Sequence, residues 1–275
     1  MLVAVAVFSG MDALLKFFSQ HYPPMEVAAL RGMASLPFMV LPLLIMRRLR
    51  DLKPTRFAMH LFRGTLMVGV LGGFIYAVRV LSLANAYSIF LSAPLIVTAL
   101  SVPVLGDRVD RRTWVAIAVG LVGVIMMLRP SASSLVTLGA VAAFLSATAY
   151  AVSAIALRVL TRTDTTWSVV FWTVGLMTVF TVLVAAPGWV PLHREHWKWL
   201  VALGILGAVG QHLLTEAFRS APPSVVAPFE YTALLWGIGI DWTVWGVLPS
   251  ARVYVGGGIV IACGLFLIWR ERTVA

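Results

Sequence analysis

Long apolar stretches separated by short polar breaks run through the chain from end to end. Each has roughly the 20 residues that an α-helix needs to cross the hydrocarbon core of a membrane. The pattern predicts ten spans, at residues 2–19, 26–46, 61–80, 83–103, 113–129, 135–157, 167–186, 197–217, 224–246 and 253–269. Segments such as 115–128 and 256–268 are apolar on every face. The spans are therefore predicted to be α-helices, because strands of a membrane barrel would alternate apolar and polar positions.

Composition agrees with a chain that lies almost entirely in a membrane. Hydrophobic types make up 60% of the 275 residues and charged types 12%, whereas soluble domains carry about 45–50% and about 25%. Ten spans of ~20 residues occupy about 200 positions, so only short loops and tails remain. A separate soluble catalytic or nucleic-acid-binding domain is excluded. The sequence has no cofactor motif or Cys/His metal cluster, so neither a cofactor nor a nucleic-acid partner is expected.

The net charge of +10 is first a topology signal. When the loops are assigned alternately to the two sides of the membrane, thirteen basic residues fall on one side and five on the other. Cytoplasmic loops carry the excess of Lys and Arg in membrane proteins. Both termini are therefore predicted to be cytoplasmic, in a bacterial-type inner (plasma) membrane. The basic cluster at residues 47–56 suits a topology signal, or alternatively a site for anionic lipid of the surrounding bilayer.

The two halves of the chain resemble each other weakly. A shift of 140 residues places residues 77–79 on 217–219 and Gly106 on Gly246, and it maps spans three to five onto spans eight to ten. Each half then contains five spans, an odd number, so the second half enters the membrane from the opposite face. The sequence predicts two inverted five-helix repeats, residues 1–130 and 131–275, an arrangement that transporters use for alternating access.

Several short motifs follow one another along the chain in a recognisable order. They are Pro23-Pro24, Arg31, Ser92-Ala93-Pro94, Gly106-Asp107, Ala217 to Pro222 and Ala227 to Tyr231. Together they resemble the EamA-type branch of the drug/metabolite transporter superfamily, over nearly the whole chain. Family members usually carry Gly-Glu after spans four and nine, where this chain has Gly106-Asp107 and Gly246-Val247. The resemblance implies a ten-helix carrier that exports or exchanges small metabolites, with exporters of amino acids, including aromatic ones, as the nearest analogy.

Span eight carries a polar stripe on one helix face. Its members, spaced i, i+3, i+4 and i+7, are His212, Thr215, Glu216 and Arg219. The shift of 140 places this stripe on a face that includes Gly72 and Tyr76. Polar groups at membrane depth mark candidate sites. His212, Glu216 and Tyr76 are therefore predicted to line a cavity, with an interhelical hydrogen-bond network as the alternative; a metal site is not predicted, because no third ligand is evident.

Further candidates lie in spans four and six. Tyr87 and Ser88 share a face of span four, and Tyr150 lies between two serines of span six. Tyrosine rings at membrane depth suit a cavity wall. Small hydroxyl residues equally allow helices to pack closely, so both interpretations remain open at these positions.

Span nine is the third candidate region. Pro228 removes a backbone hydrogen bond, so a kink or an opened helix is predicted there, and Pro94 is expected to act likewise in span four. Glu230, Tyr231 and Trp236 follow. Glu230 and Tyr231 are predicted to bind substrate, and Trp236 either forms an aromatic wall or faces lipid. Glu230 is also a candidate for proton coupling, and the alternative is a structural carboxyl.

Ionisable residues of the first spans are expected to neutralise one another. Asp12 and Lys16 are four residues apart on span one and are predicted to pair. Arg31 is an alternative partner for Asp12 or Glu26. Asp241, near the end of span nine, is expected to reach the membrane interface.

These features predict a secondary transporter that works by alternating access, without covalent chemistry. A small amphipathic solute would enter a mostly apolar cavity bounded by spans three, four, six, eight and nine. Two alternatives are an exporter of other solutes, such as organic cations, drugs or sugars, and, more remotely, an intramembrane enzyme. A homo-oligomer is compatible with the sequence.

Overall fold

A computed structural model describes residues 1–106, 111–128, 138–248 and 251–274. Within these residues the chain is helical and contains no strand. The α-helices are α1 (Leu2–Ser19), α2 (Pro24–Ile45), α3 (Phe57–Val80), α4 (Leu83–Phe90), α5 (Ser92–Leu105), α6 (Arg111–Leu128), α7 (Leu138–Leu160), α8 (Thr166–Ala185), α9 (Trp197–Ser220), α10 (Pro223–Val226), α11 (Thr232–Trp245) and α12 (Ala251–Val274). Short 3-10 helices occupy Leu49–Leu52, Ala186–Gly188, Arg194–His196 and Ala227–Tyr231.

Seven helical stretches of the described residues are long and apolar enough to cross a membrane. They comprise α1, α2, α3, the stretch Asn85–Leu105, α7, and the stretches Thr166–Gly188 and Arg194–Ser220. The remaining three predicted spans coincide with α6, with α10 and α11 together, and with α12. The predicted all-α membrane fold is confirmed, and each predicted span corresponds to one helix or to one broken helix.

The helix contacts show the inverted repeat. Helix α1 packs on α9 as its equivalent α7 packs on α3, and α2 packs on α9 as α8 packs on α3. Helix α2 also packs on its own equivalent, α8, and α6 packs on its equivalent, α12. Each of these contacts between the halves either joins equivalent helices or has a counterpart in which the two halves exchange roles. The predicted boundary between residues 130 and 131 lies outside the described residues and stays a prediction.

Spans four and nine are both broken in their first half. Leu91 separates α4 from α5, and the 3-10 helix Ala227–Tyr231 separates α10 from α11. Pro94 lies in the first turn of α5, where its missing N–H costs little because first-turn N–H groups have no partner within the helix. Its ring excludes the hydrogen bond back to the Phe90 carbonyl. The break therefore precedes Pro94, at Leu91, and the proline begins the second half of the span.

The ends of the broken spans match as well. Helices α5 and α11 both end at a glycine in the left-handed conformation, Gly106 with φ of 76° and Gly246 with φ of 65°. Glycine adopts this conformation without the steric cost of a Cβ. The two glycines are equivalent under the 140-residue shift, so the repeat extends to the backbone conformation at the helix ends.

Candidate functional site

A cavity of about 130 Å³ lies between the two halves of the molecule. Helices α1, α2, α3, α4, α7, α9 and α11 contribute to its wall, which also includes the break at Leu91. Most of the surface is apolar, with the aromatic rings of Phe8, Phe74 and Phe90. Apolar walls with a few converging polar groups are typical of small-molecule sites.

Two carboxyl groups in the cavity each accept a hydrogen bond from a tyrosine. The Tyr87 hydroxyl donates to Oδ2 of Asp12 at 2.7 Å, and the Tyr150 hydroxyl donates to Oε1 of Glu230 at 2.7 Å. The first pair joins spans one and four, and the second joins spans six and nine, which are the equivalent spans of the other repeat. The carboxyl and hydroxyl groups have exchanged spans between the two pairs, so each repeat supplies one acid and one tyrosine.

Two nitrogen-bearing side chains also line the cavity. The Arg31 Nε–H donates to Sδ of Met11 at 3.1 Å, and Nη1 lies 3.6 Å from Sδ of Met177. Thioether sulfur is a weak acceptor. The amide nitrogen Nε2 of Gln211 is buried and has no hydrogen-bond partner among the described residues. The cavity therefore contains N–H groups whose hydrogen-bonding capacity the described residues do not fill.

The broken spans also bring the starts of two half-helices to the cavity. Leu91 precedes the first residue of α5, and Ala233 lies in the first turn of α11, and both line the cavity. The N-terminus of a helix carries a partial positive charge. Half-helices that begin at membrane depth are a recurrent way for transporters to meet the anionic group of a substrate.

Of the predicted site residues, Tyr87, Tyr150 and Glu230 line the cavity. The side chains of Ser88 and Pro228 lie outside the described part of the structure. The structure therefore brings together three residues from spans four, six and nine, and it pairs two of them directly through a hydrogen bond.

The predicted stripe of span eight faces α8 instead of the cavity. The Thr166 hydroxyl donates to the Glu216 carboxylate. The ring of His212 lies 4.6 Å, centroid to centroid, from the ring of Trp167. Arg219 donates to the main-chain carbonyl of Asp164. These contacts form an interhelical network at the end of α8, which is the alternative that the sequence left open.

The other predicted residues lie around the cavity without lining it. Tyr76 is half-buried on α3, and Trp236 is 48% exposed on the outer surface of α11. Tyr231 is buried beside Glu230, and its hydroxyl has no partner among the described residues. Pro94 is buried in α5, one turn beyond the break.

The predicted pair of Asp12 and Lys16 does not form. Lys16 Nζ instead lies 3.0 Å from Oδ1 of Asp241 on α11 and 4.4 Å from the centre of the Trp245 ring. The Leu83 N–H donates to the same Asp241 oxygen at 3.3 Å. Asp241 is thus buried between helices and does not reach the interface. A partner from another helix has replaced the neighbour one turn away.

Asp12, Arg31 and Gln211 were not among the predicted substrate-binding residues. Asp12 and Arg31 carried a usable signal, because both are ionisable residues within spans. That signal indicated a structural ion pair equally well. Gln211 carried no signal of its own, since it is a single amide next to a more conspicuous polar stripe.

Comparison with known proteins relates the whole chain to transporters. The model of the EamA-like transporter family matches residues 1–129 and 137–270. The chain is 30% identical to a pseudopaline exporter of Pseudomonas aeruginosa (95% of this chain, 92% of the relative) and 27% identical to a riboflavin transporter of Vibrio cholerae (100% and 96%). It is 24% identical to an S-adenosylmethionine uptake transporter of Rickettsia bellii (98% and 92%). A solved crystal structure with 18% identity superposes with a TM-score of 0.73 over 98% of this chain, which shows the shared fold.

Proposed function

Because the chain belongs to the EamA-like transporter family, and is therefore a multi-pass membrane transporter and not an enzyme, we propose that it carries small amphipathic metabolites with both an amino group and a carboxylate. Amino acids, including aromatic ones, are the substrate class, and the transport is export by alternating access. The solute occupies the cavity between the two repeats. Residues 1–130 and 131–275 are the two units that move relative to each other.

The polarity of the cavity is the observation that supports this substrate class. Asp12 and Glu230 are acidic partners for an ammonium group, while Arg31 and Gln211 offer N–H donors to a carboxylate. The rest of the wall is apolar and aromatic, which suits a hydrophobic side chain. A solute with only one kind of charge would leave either the acidic or the basic group without a partner, and buried charged groups without partners are unfavourable.

The relatives leave both substrate and direction open for this chain. Their names state export of pseudopaline, transport of riboflavin and uptake of S-adenosylmethionine. One fold thus serves chemically different solutes and both directions. The substrate has to be inferred from the residues of this cavity.

The cavity needs to widen during transport. Its volume of about 130 Å³ is below the ~300 Å³ at which ligand pockets commonly begin. The breaks at Leu91 and at Ala227–Tyr231 lie beside the cavity and interrupt the helix hydrogen bonding of spans four and nine. We expect the half-helices α4, α5 and α11 to change their relative angle there, because a break absorbs a change of direction at lower cost than a continuous helix.

Orientation gives the proposed direction. The excess of basic residues in alternate loops supports an orientation in a bacterial inner membrane with both termini on the cytoplasmic side. The cavity extends along α1 from Asp12 to Met1, which is the predicted cytoplasmic end. Loading from the cytoplasm follows from this orientation. A homo-oligomer stays a prediction.

Counterflow in proteoliposomes tests the proposal. Vesicles loaded with unlabelled phenylalanine should accumulate labelled phenylalanine faster than vesicles that contain buffer alone. Asp12→Asn and Glu230→Gln should each lower this rate about tenfold, which corresponds to one lost charged interaction. Asp51→Asn and Glu195→Gln make the same chemical changes outside the cavity and should have no effect. Acceleration by an organic cation or a sugar, and not by any amino acid, would replace the proposed substrate class.

A further inference from the structure

Arg31 is a buried cation without an ion-pair partner among the described residues. Its side chain is on α2, only 3% of the residue is exposed, and it lines the cavity. Its described hydrogen bonds go to the sulfur atoms of Met11 and Met177. Burying a charge without a partner is costly, and a guanidinium offers five N–H donors. The described residues therefore leave most of the hydrogen-bonding capacity of Arg31 unfilled.

The other buried cations of spans one and three are satisfied differently. Lys16 has the carboxylate of Asp241 at 3.0 Å. Arg63 donates to the Ser153 carbonyl at 3.3 Å and to the Thr173 hydroxyl. Both therefore have oxygen acceptors supplied by neighbouring helices. Arg31 differs from them both in its acceptors and in its position on the cavity wall.

Asp12 does not neutralise Arg31 by direct contact. The two charges are close enough to influence each other, yet they form no ion pair, and the Asp12 carboxylate is held at 2.7 Å by the Tyr87 hydroxyl. The acid and the base thus stand apart in one cavity. That separation leaves each of them available to an opposite charge on a bound solute.

From these contacts we propose that Arg31 binds the carboxylate of the transported solute and that Gln211 donates a second hydrogen bond to it. A guanidinium matches a carboxylate because two parallel N–H donors meet two oxygens. Gln211 is 2% exposed, and its unpartnered amide nitrogen belongs to the same cavity. The inference deepens the proposed function and rests on it. It makes Arg31 the residue that distinguishes amino acids from amines that lack a carboxylate.

Three solutes separate the two ends of the substrate. Phenylalanine has both charges, phenethylamine lacks the carboxylate, and 3-phenylpropionate lacks the ammonium group. In counterflow, Arg31→Gln should lower the ratio of phenylalanine flux to phenethylamine flux about tenfold. Arg31→Lys keeps the charge without the planar fork and should lower the ratio less. Arg79→Gln is a matched control, because Arg79 is exposed on α3 and should leave the ratio unchanged.

Stability gives a second readout that a structural role would move in the opposite direction. Removing a buried charge that has no ion-pair partner should leave the melting temperature of Arg31→Gln in detergent unchanged or higher. 3-Phenylpropionate should raise the melting temperature of the wild type, because a ligand that binds the folded state stabilises it. It should not raise that of Arg31→Gln. Gln211→Glu adds a competing carboxylate and should suppress the 3-phenylpropionate effect as well, which provides a second variant.

The outcomes distinguish the two proposals. If the wild type exchanges none of the three solutes, the proposed substrate class is wrong, while the melting shift with 3-phenylpropionate still tests Arg31. If the wild type exchanges phenylalanine but Arg31→Gln lowers the flux of phenylalanine and phenethylamine by the same factor, Arg31 does not bind the carboxylate. A lower melting temperature of Arg31→Gln together with an unchanged flux ratio would likewise assign Arg31 to structure.

Discussion

The ion pair between Lys16 and Asp241 should be a large single contribution to the stability of the contact between α1 and α11. The side chains are 11% and 1% exposed, and the nitrogen and oxygen are 3.0 Å apart. Asp241→Asn keeps the shape of the side chain and an oxygen that can still accept the Leu83 N–H. It removes the negative charge, so Lys16 stays buried beside the Trp245 ring and a neutral oxygen.

The expected loss can be estimated from these contacts. Breaking a buried pair by removing one partner typically destabilises a protein by about 3–5 kcal/mol. The Trp245 ring keeps some attraction for the ammonium group, since a cation over an aromatic face gains up to ~2 kcal/mol. We therefore expect the lower end, about 3 kcal/mol. With about 2–4 °C for each kcal/mol in chains of 150–250 residues, the melting temperature should fall by about 6–12 °C.

Thermal unfolding in a mild detergent, followed by the fluorescence of a thiol-reactive or intrinsic probe, measures this shift. Asp51→Asn is the matched control, because Asp51 forms a shorter but more exposed pair with Arg48, at 2.7 Å. Exposed pairs contribute at most about 1 kcal/mol. Adding Lys16→Met to Asp241→Asn should restore most of the stability, because neither charge of the pair then remains. Equal shifts for Asp241→Asn and Asp51→Asn, or strictly additive effects of the two buried changes, would refute the reasoning.

Two further predictions concern the cavity and the helix contacts. Tyr150→Phe removes a hydroxyl that holds a cavity carboxylate and should lower phenylalanine counterflow about threefold to tenfold; the same change at the exposed Tyr254 should leave it unaltered, and equal effects at both positions would contradict the assignment. Gly32→Ala places a methyl group against the Thr178 hydroxyl oxygen, closer than van der Waals contact allows, and should destabilise the contact between α2 and α8 by about 1–3 kcal/mol. Gly175→Ala on α8 meets no atom within 4 Å and should be neutral or stabilising by up to about 1 kcal/mol, so a melting temperature that falls equally for both glycines would count against the packing described.

The arrangement of spans followed from the sequence because hydropathy and chain length leave little freedom in a membrane. Even the broken spans were signalled, by Pro94 and Pro228. The exact hinge was not, because a proline disrupts the turn before itself and the break thus falls at Leu91. What hydropathy specifies is the length and position of a helix, and what it does not specify is the rotation of the helix about its own axis.

That rotation explains the differences at the site. Neighbouring residues of an α-helix point about 100° apart, so Gln211 faces the cavity while His212 faces α8. Both directions are compatible with the polar stripe. Asp12 and Lys16 illustrate the same limit. Lys16 pairs with Asp241, 225 positions away, and not with Asp12, its nearest acidic neighbour along the helix. Tyr150 and Glu230 were predictable because large polar groups at membrane depth almost always face the protein interior.

The ion pair between Lys16 and Asp241 affects the balance between the two access states of the transporter. In an inverted repeat, exchanging the conformations of the two halves would produce the opposite access state. The 140-residue shift places Asp241 on Ser101, and the Ser101 hydroxyl donates to the Thr98 carbonyl of its own helix at 2.9 Å. A neutral serine at this position cannot form an equivalent charge pair in the opposite state. We therefore expect the two access states to differ in energy, with the empty carrier favouring the form loaded from the Met1 end until a solute shifts the population.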